Sequence, residues 1–387
     1  MELLPVTDQH TRQEFLKLPL KIYRDNQFWI RPLDTDVENV FDPKTNKTFR
    51  KGELERWIVV NHQGETVGRV AAFVNEKTKD KRNDQPTGGM GFFESINDQA
   101  VAFALFDACK NWLSERGMEA MDGPINFGDR DKWWGLLVDG YQIEPNYLQH
   151  YNFPYYKDLF EAYGFKTYFK QLTYIRKTRD PLSPKLAKKA ERLQQDKSYS
   201  FSHMRLKNID KYIEDFRTVY NQAWAGHGVP KMAYAQAKAL MYQLKPIIDE
   251  KIIWFGYYNE EPIAFFIMLP EMNQIFKYVN GKLDWLGKLK FVWHKWRKTC
   301  NKMFGLVFGI VPAHQGKGVE GALIMAARQM IQDDYHRYED YEMNWIGDFN
   351  PKMIRVAEQV GGHIGKTHVT YRKLFDESKE FKRHPFI

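Results

Sequence analysis

The 387 residues are 43% hydrophobic and 15% aromatic, a composition that builds packed cores and excludes long disorder. A formal charge of +8 suits an anionic ligand, nucleic acid or acidic lipid without choosing among them. Two cysteines, Cys109 and Cys300, are too few for a disulfide framework or a cysteine zinc site, and the eleven histidines lack paired ligand spacing, so no metal site is expected.

The length predicts two domains. The start, Met1 to Asp8, lacks a basic segment leading into an apolar one, and apolar runs such as Ile263 to Leu269 are too short to span a bilayer, so a cytoplasmic protein is expected. In chain order, Arg12 to Tyr23 reads as a helix. Trp57 to Val60 and Thr66 to Asn75 read as a hairpin through Asn61-His-Gln-Gly64. A charged, Gly-rich loop, Glu76 to Met90, precedes a helix over Gln99 to Arg116, whose Val101, Leu105, Ala108 and Trp112 recur at three and four. Met118 to Ile125 is a strand, Pro154 to Tyr163 a helix and Tyr168 to Arg176 a strand.

Residues 177 to 200 are rich in Pro and Lys and read as a partly helical linker. The second half then repeats the plan. Helices over Ile209 to Trp224 and Ala233 to Ile248 precede a hairpin, Ile252 to Tyr258 with Pro262 to Leu269. A strand, Phe304 to Val311, is ended by Pro312, and after Gln315-Gly-Lys-Gly318 a helical pattern begins at Ala322. Strand, glycine-bearing turn and helix place several N–H groups at the positive end of a helix, an arrangement suited to phosphate. Tyr341 to Ile346, Pro351 to Val360 and Thr367 to Phe375 complete the half as strand, helix, strand.

Gln315, Gly318 and Glu320 resemble the Q/R-x-x-G-x-G/A loop of the GCN5-related N-acetyltransferase (GNAT) superfamily, with Glu320 where the family carries Gly or Ala. The segments from Asn350 to Gly361 and from Asn152 to Gly164 resemble the family's N-x-x-A-x-x-L-Y-E-K-L-G stretch, once in each half. Gly123-Pro-Ile-Asn126, Gly135-Leu-Leu-Val138 and Glu342-Met-Asn-Trp-Ile346 are similar, over essentially the whole chain, to a bacterial, mostly uncharacterised group of GNAT-like proteins. The resemblance implies an α/β chain of two tandem GNAT folds. A domain over 1–178 lacks a phosphate loop, a linker spans 179–205, and a domain over 206–387 carries the acyl-CoA site and a basic insert at 281–300.

The family's roles, carried over by position, imply that acetyl-CoA or another acyl-CoA is held by Gly309, Ile310, Val311, Gln315, Gly316, Lys317, Gly318, Val319 and Asn350. Acyl transfer to an amine also needs a base and an acid. Glu342 is the expected base, with Glu271 and Asp348 as alternatives. The family's acid tyrosine falls at Ala357, and at Phe160 in the first half. His314 reads as a polar turn residue. Asn126, Trp133 and Trp134 stand where they would line an acceptor pocket, or else form a packed loop. In the first half Glu94 and Asp98 would repel a pyrophosphate.

The insert places Leu286, Leu289, Trp293, Trp296 and Cys300 at helical spacing among Lys288, Lys290, Lys295, Arg297 and Lys298. It reads as a buttress packed on the sheet, with peripheral membrane contact as the other reading. The expected function is an acyl-CoA-dependent N-acyltransferase acting on an unidentified amine. A catalytically inactive scaffold, or a membrane- or nucleic-acid-associated protein using the basic insert, is the alternative; nucleic acid is the less expected partner.

Overall fold

The computed structural model describes residues 1–81, 83–225, 230–335 and 337–386. The strands are β1 (Glu2–Pro5), β2 (Gly52–Val60), β3 (Thr66–Asn75), β4 (Thr87–Ser95), β5 (Ala120–Gly123), β6 (Leu136–Asp139) and β7 (Lys166–Lys177) in the first half. The second half has β8 (Tyr199–His203), β9 (Ile253–Tyr258), β10 (Glu261–Pro270), β11 (Lys302–Ile310), β12 (Asp340–Met343), β13 (Ile346–Gly347) and β14 (His363–Leu374). Runs such as Val70 to Val74 and Ile263 to Met268 are buried throughout, as expected of strands covered on both faces.

All fourteen lie in one sheet, ordered β1-β2-β3-β4-β5-β14-β7-β12-β11-β10-β9-β8, with β13 pairing β7 and β6 pairing β14. The last strands of the two halves are exchanged. β14, from the end of the chain, sits between β5 and β7, while β7 continues onto β12. Arg372 on β14 fixes this register with a two-pronged bond to Asp122 on β5, at 2.6 and 2.8 Å, the geometry that suits guanidinium and carboxylate best.

Helices cover the sheet. In the first half, Gln99–Ser114 buries Val101, Leu105, Phe106, Cys109 and Leu113 against β3 and β4, with Phe106 stacked on Phe93 and edge-on to Phe160. In the second half, Ile209–Ala223 and Val319–Gln329 bury Ile213, Phe216, Val219, Leu323 and Ala327 in a core shared with β9, β10 and β11. The stretch read as a linker forms a helix, Pro184–Gln195, that buries Leu186 and Ala190. It packs on the helix Val319–Gln329 so tightly that a Cβ on Gly321 would meet Leu186 at 2.7 Å.

Candidate functional site

β11 pairs with β12 in parallel only from Lys302 to Gly305. Beyond Gly305 the two strands separate: after a bulge at Leu306, Val307 to Ile310 stay paired with β10, while β12 ends at Met343 and the chain moves to β7 through β13. An apolar cavity of about 380 Å³ fills the opening. Its walls are Leu306, Val307 and Phe308 from β11, Ile324, Ala327 and Ile331 after the turn, and Met353, Val356 and Ala357 from the helix Pro351–Gln359. Ala357, where the resemblance would put a tyrosine, contributes only a methyl group to this wall.

Arg176, Thr178, Arg328, Tyr341, Asn344 and Asn350 bring polar groups to the lining. Tyr341 lines the cavity and can lie over β11 because residue 305 is glycine; a Cβ there would meet the Tyr341 oxygen at 2.3 Å. No hydrogen bond to its hydroxyl is found among the described residues. Burial raises its pKa, outweighing the nearby Arg176 guanidinium, so the hydroxyl keeps its proton at working pH. Sequence reasoning passed over Tyr341, although its alternation with Glu342 along β12 puts the two on opposite faces. Asn350 also lines the cavity, and its side chain caps the following helix by accepting from Met353 N–H at 3.2 Å.

At the C-terminal end of β11, Gly316 and Gly318 have φ of +73° and +99°, conformations that favour glycine. Gly318 is the N-cap of the helix Val319–Gln329, with no side chain capping it, so the first-turn N–H groups, which have no intrahelical partner, receive no side-chain acceptor from the cap either. Gln315 points back and donates to Ile310 O at 3.0 Å, pinning the turn to the strand. Lys317 is exposed. Lys189, on the former linker, is exposed too and stands beside the turn, since a Cβ on Gly318 would lie 3.1 Å from its Cβ. Among the expected residues, Gly316 to Val319 form this turn, and Gly309 to Val311 lead into it. Glu320 sits in the first turn with Oε2 buried and unbonded among the described residues; its charge complements the helix end but opposes an anion there. The helix itself, two lysines and the open splay fit a phosphate-bearing thioester; Glu320 counts against it.

The matching helix end in the first half is closed. Asp98 accepts from Ala100 and Val101 N–H at 2.7 and 3.3 Å, filling the position an anion would take. Glu94 is buried, accepting from Tyr23 and Tyr156 hydroxyls at 2.7 Å each and pairing with Arg69 at 3.4 Å.

Glu342 faces away from the cavity, into a buried junction. Lys302 Nζ lies 2.8 Å from its Oε2, Lys366 Nζ 2.5 Å from its Oε1, and Asn146 donates to Oε1 at 2.7 Å. Burial would raise its pKa, but the two ammonium groups outweigh burial and hold it at about 2, which leaves little affinity for another proton. Glu271 lies in the same junction, accepting from Tyr147 and Asn273 N–H at 2.8 and 2.9 Å, with its pKa raised by burial against the pull of Lys302. Asp348 is engaged by Lys170 N–H and Arg383. His314 packs on Tyr258 and bonds Tyr199 at 3.1 Å.

Asn126, Trp133 and Trp134 are not brought to the 380 Å³ cavity. Trp133 is buried against Phe92 at 5.3 Å and borders a separate space of about 40 Å³. Asn126 donates to Asp129 O at 3.3 Å, and the Trp134 ring lies under Arg130.

No protein-family model matches the chain. Its sequence is 25% identical to the bacterial ceramide synthase of Caulobacter vibrioides (strain NA1000 / CB15N) over 378 residues, covering 96% of this chain and 97% of that one. It is 24% identical to protein YghO of Escherichia coli (strain K12), covering 93% and 92%. Among solved structures, a tandem GNAT protein from the clavulanic acid biosynthesis pathway superposes with a TM-score of 0.54 at 10% identity, covering 98% of this chain and 99% of that one. The GCN5-related glucosamine N-acetyltransferase region of a fungal multi-domain β-N-acetylglucosaminidase gives 0.53 at 10% identity, over 96% of this chain and 38% of that one. The fold is α/β, of the tandem GNAT type. No helix among the described residues is long and apolar enough to cross a membrane.

Proposed function

We propose that the chain transfers a fatty acyl group from an acyl-CoA to the amine of a long-chain amino alcohol. The observation that carries this reading is the apolar cavity in the splay between β11 and β12, on the same strand and helix that the glycine turn connects. Its volume falls within the roughly 300–1,000 Å³ of small-molecule pockets. The pyrophosphate lies at the turn from Gly316 to Val319, with Lys317 and Lys189 supplying charge. The pantetheine arm follows the free edge of β11, and Asn350 borders its path. The relative's name, ceramide synthase, favours a fatty acyl donor and a sphingoid-type amine; a ceramide is the amide such a transfer makes.

In the reaction the neutral amine attacks the thioester carbonyl; the C–N bond forms, the C–S bond breaks, and the proton the nitrogen sheds on becoming an amide passes to the departing thiolate. Tyr341, as the protonated hydroxyl in the cavity wall, donates a hydrogen bond to the departing sulfur. Glu342 is a positioning residue that fixes β12, and so Tyr341, against the exchanged strand. Purified protein incubated with palmitoyl-CoA and sphinganine should release free thiol and yield the N-acyl product by mass spectrometry. Thioester binding with no amide from any long-chain or short-chain amine would instead support the scaffold reading.

A further inference from the structure

The insert does not form the packed buttress its spacing suggested. Its helix, Trp285–Trp296, packs on the body through Gly287, Phe291 and His294, and at its far end Val292, Lys295 and Trp296 border an open groove of about 540 Å³ against Ile247, Ile248 and Ile275. Gly287 is closed against Lys282 and Val279, Phe291 stacks on Phe276 at 5.9 Å and His294 on Tyr278 at 4.0 Å. The other side carries Trp285, Leu286, Leu289, Val292, Trp293 and Trp296, which are 69, 50, 59, 62, 53 and 72% exposed. At about 100° per residue the six fall within an arc of about 120°, one continuous stripe. By the same count Lys288 and Lys295 follow one edge and Lys290 the other, while Arg297 and Lys298 close the end. Lys295 also donates to the Pro246 carbonyl. Asp284 is the sole acid between residues 284 and 298, and it is occupied as the N-cap, accepting from Gly287 N–H at 2.8 Å.

We propose that this helix is an in-plane anchor lying on a bilayer surface that contains anionic lipid. Indole rings settle at the boundary between headgroups and acyl chains, aliphatic side chains insert below it, and lysines flanking the stripe reach up to phosphate. The charge pattern selects this partner over a second copy of the chain, because stripe-to-stripe packing would bring two sets of lysines together. Twelve residues are too few to span a bilayer, which takes about 20, so the helix lies flat. The proposal is independent of acyl transfer, since vesicle binding is measured without substrate.

The test is co-sedimentation of the full chain with vesicles of phosphatidylcholine alone, or with one-third phosphatidylglycerol. Binding should be at least tenfold tighter to the anionic vesicles. The triple variant Trp285→Ser, Trp293→Ser, Trp296→Ser should weaken it tenfold or more with an unchanged melting temperature, as all three side chains are exposed. Lys288→Gln with Lys290→Gln, Arg297→Gln and Lys298→Gln should erase the preference for anionic lipid. No sedimentation with either vesicle, or sedimentation that the Trp variant leaves intact, overturns the proposal. So does light scattering that shows a dimer in the wild type and a monomer in the Trp variant.

Discussion

Lys366, on the strand that ends the chain, places its ammonium 2.5 Å from the carboxylate of Glu342, two strands away across β7. The same ammonium donates to Glu144 O at 3.1 Å and Gln149 Oε1 at 2.6 Å, both in the first half. One side chain thus ties the strand exchange, the loop 144–149 and the base of the splay together. Removing one partner of a buried pair leaves the other charge uncompensated, which costs about 3–5 kcal/mol. Glu342→Gln should lower the urea midpoint accordingly; an unchanged midpoint would show that the junction adds nothing to folding.

The pH dependence follows from the sign of the shift. The folded Glu342 pKa, about 2, lies below the ordinary 4.5, so the unfolded chain binds this proton more readily. The stabilisation is complete above about pH 4.5 and is lost as pH falls toward 2. Unfolding free energies measured from pH 5 to 2 should fall less steeply in Glu342→Gln than in the wild type.

Charge at the glycine turn should act on the cofactor and not on the fold. Lys317→Glu and Lys189→Glu alter exposed side chains, and each should weaken acyl-CoA binding by about tenfold at low salt, with a smaller effect at higher ionic strength. Equal affinity for wild type and both variants would place the phosphates elsewhere.

The cavity predicts a steric effect. Val307→Phe adds bulk to a wall of the opening, and overpacking costs about 1–3 kcal/mol. The KM for palmitoyl-CoA should rise by tenfold or more. If it is unmoved, the chain of the thioester does not run along β11.

Tyr341→Phe removes the hydroxyl and keeps the ring. The account predicts a kcat lower by about 10²-fold, at the low end for a lost hydrogen-bond donor to a developing charge, with KM little changed. A rise in KM at constant kcat would make Tyr341 a binding group only.

The local plan was legible, and the long-range plan was not. Thr66–Asn75 could be read because an apolar, β-branched run after a hairpin turn is a local signal, and Ile209–Ala223 because 3.6-residue spacing is one. The helix Asp34–Phe41 leaves little trace in the sequence, since it buries only Val37 and Val40. β4 was assigned partly to a loop because Gly88, Gly89 and Gly91 weaken any strand signal; they are glycines because a Cβ there would strike Leu113, Phe73 and Ile125. Exchange of β7 and β14 has no sequence signature, as both strands carry the same kind of pattern. The cavity arises where pairing stops after Gly305, and spacing does not record an absent partner strand. Spacing also identified the stripe on the insert helix but not which way it faces.

The most direct measurement is titration calorimetry of the full chain with decanoyl-CoA, repeated on Lys317→Glu and Val307→Phe. One saturable site per chain in the wild type, weakened in both variants, is the predicted result. No heat with any acyl-CoA, or the same isotherm for all three proteins, would contradict a thioester held between β11 and β12.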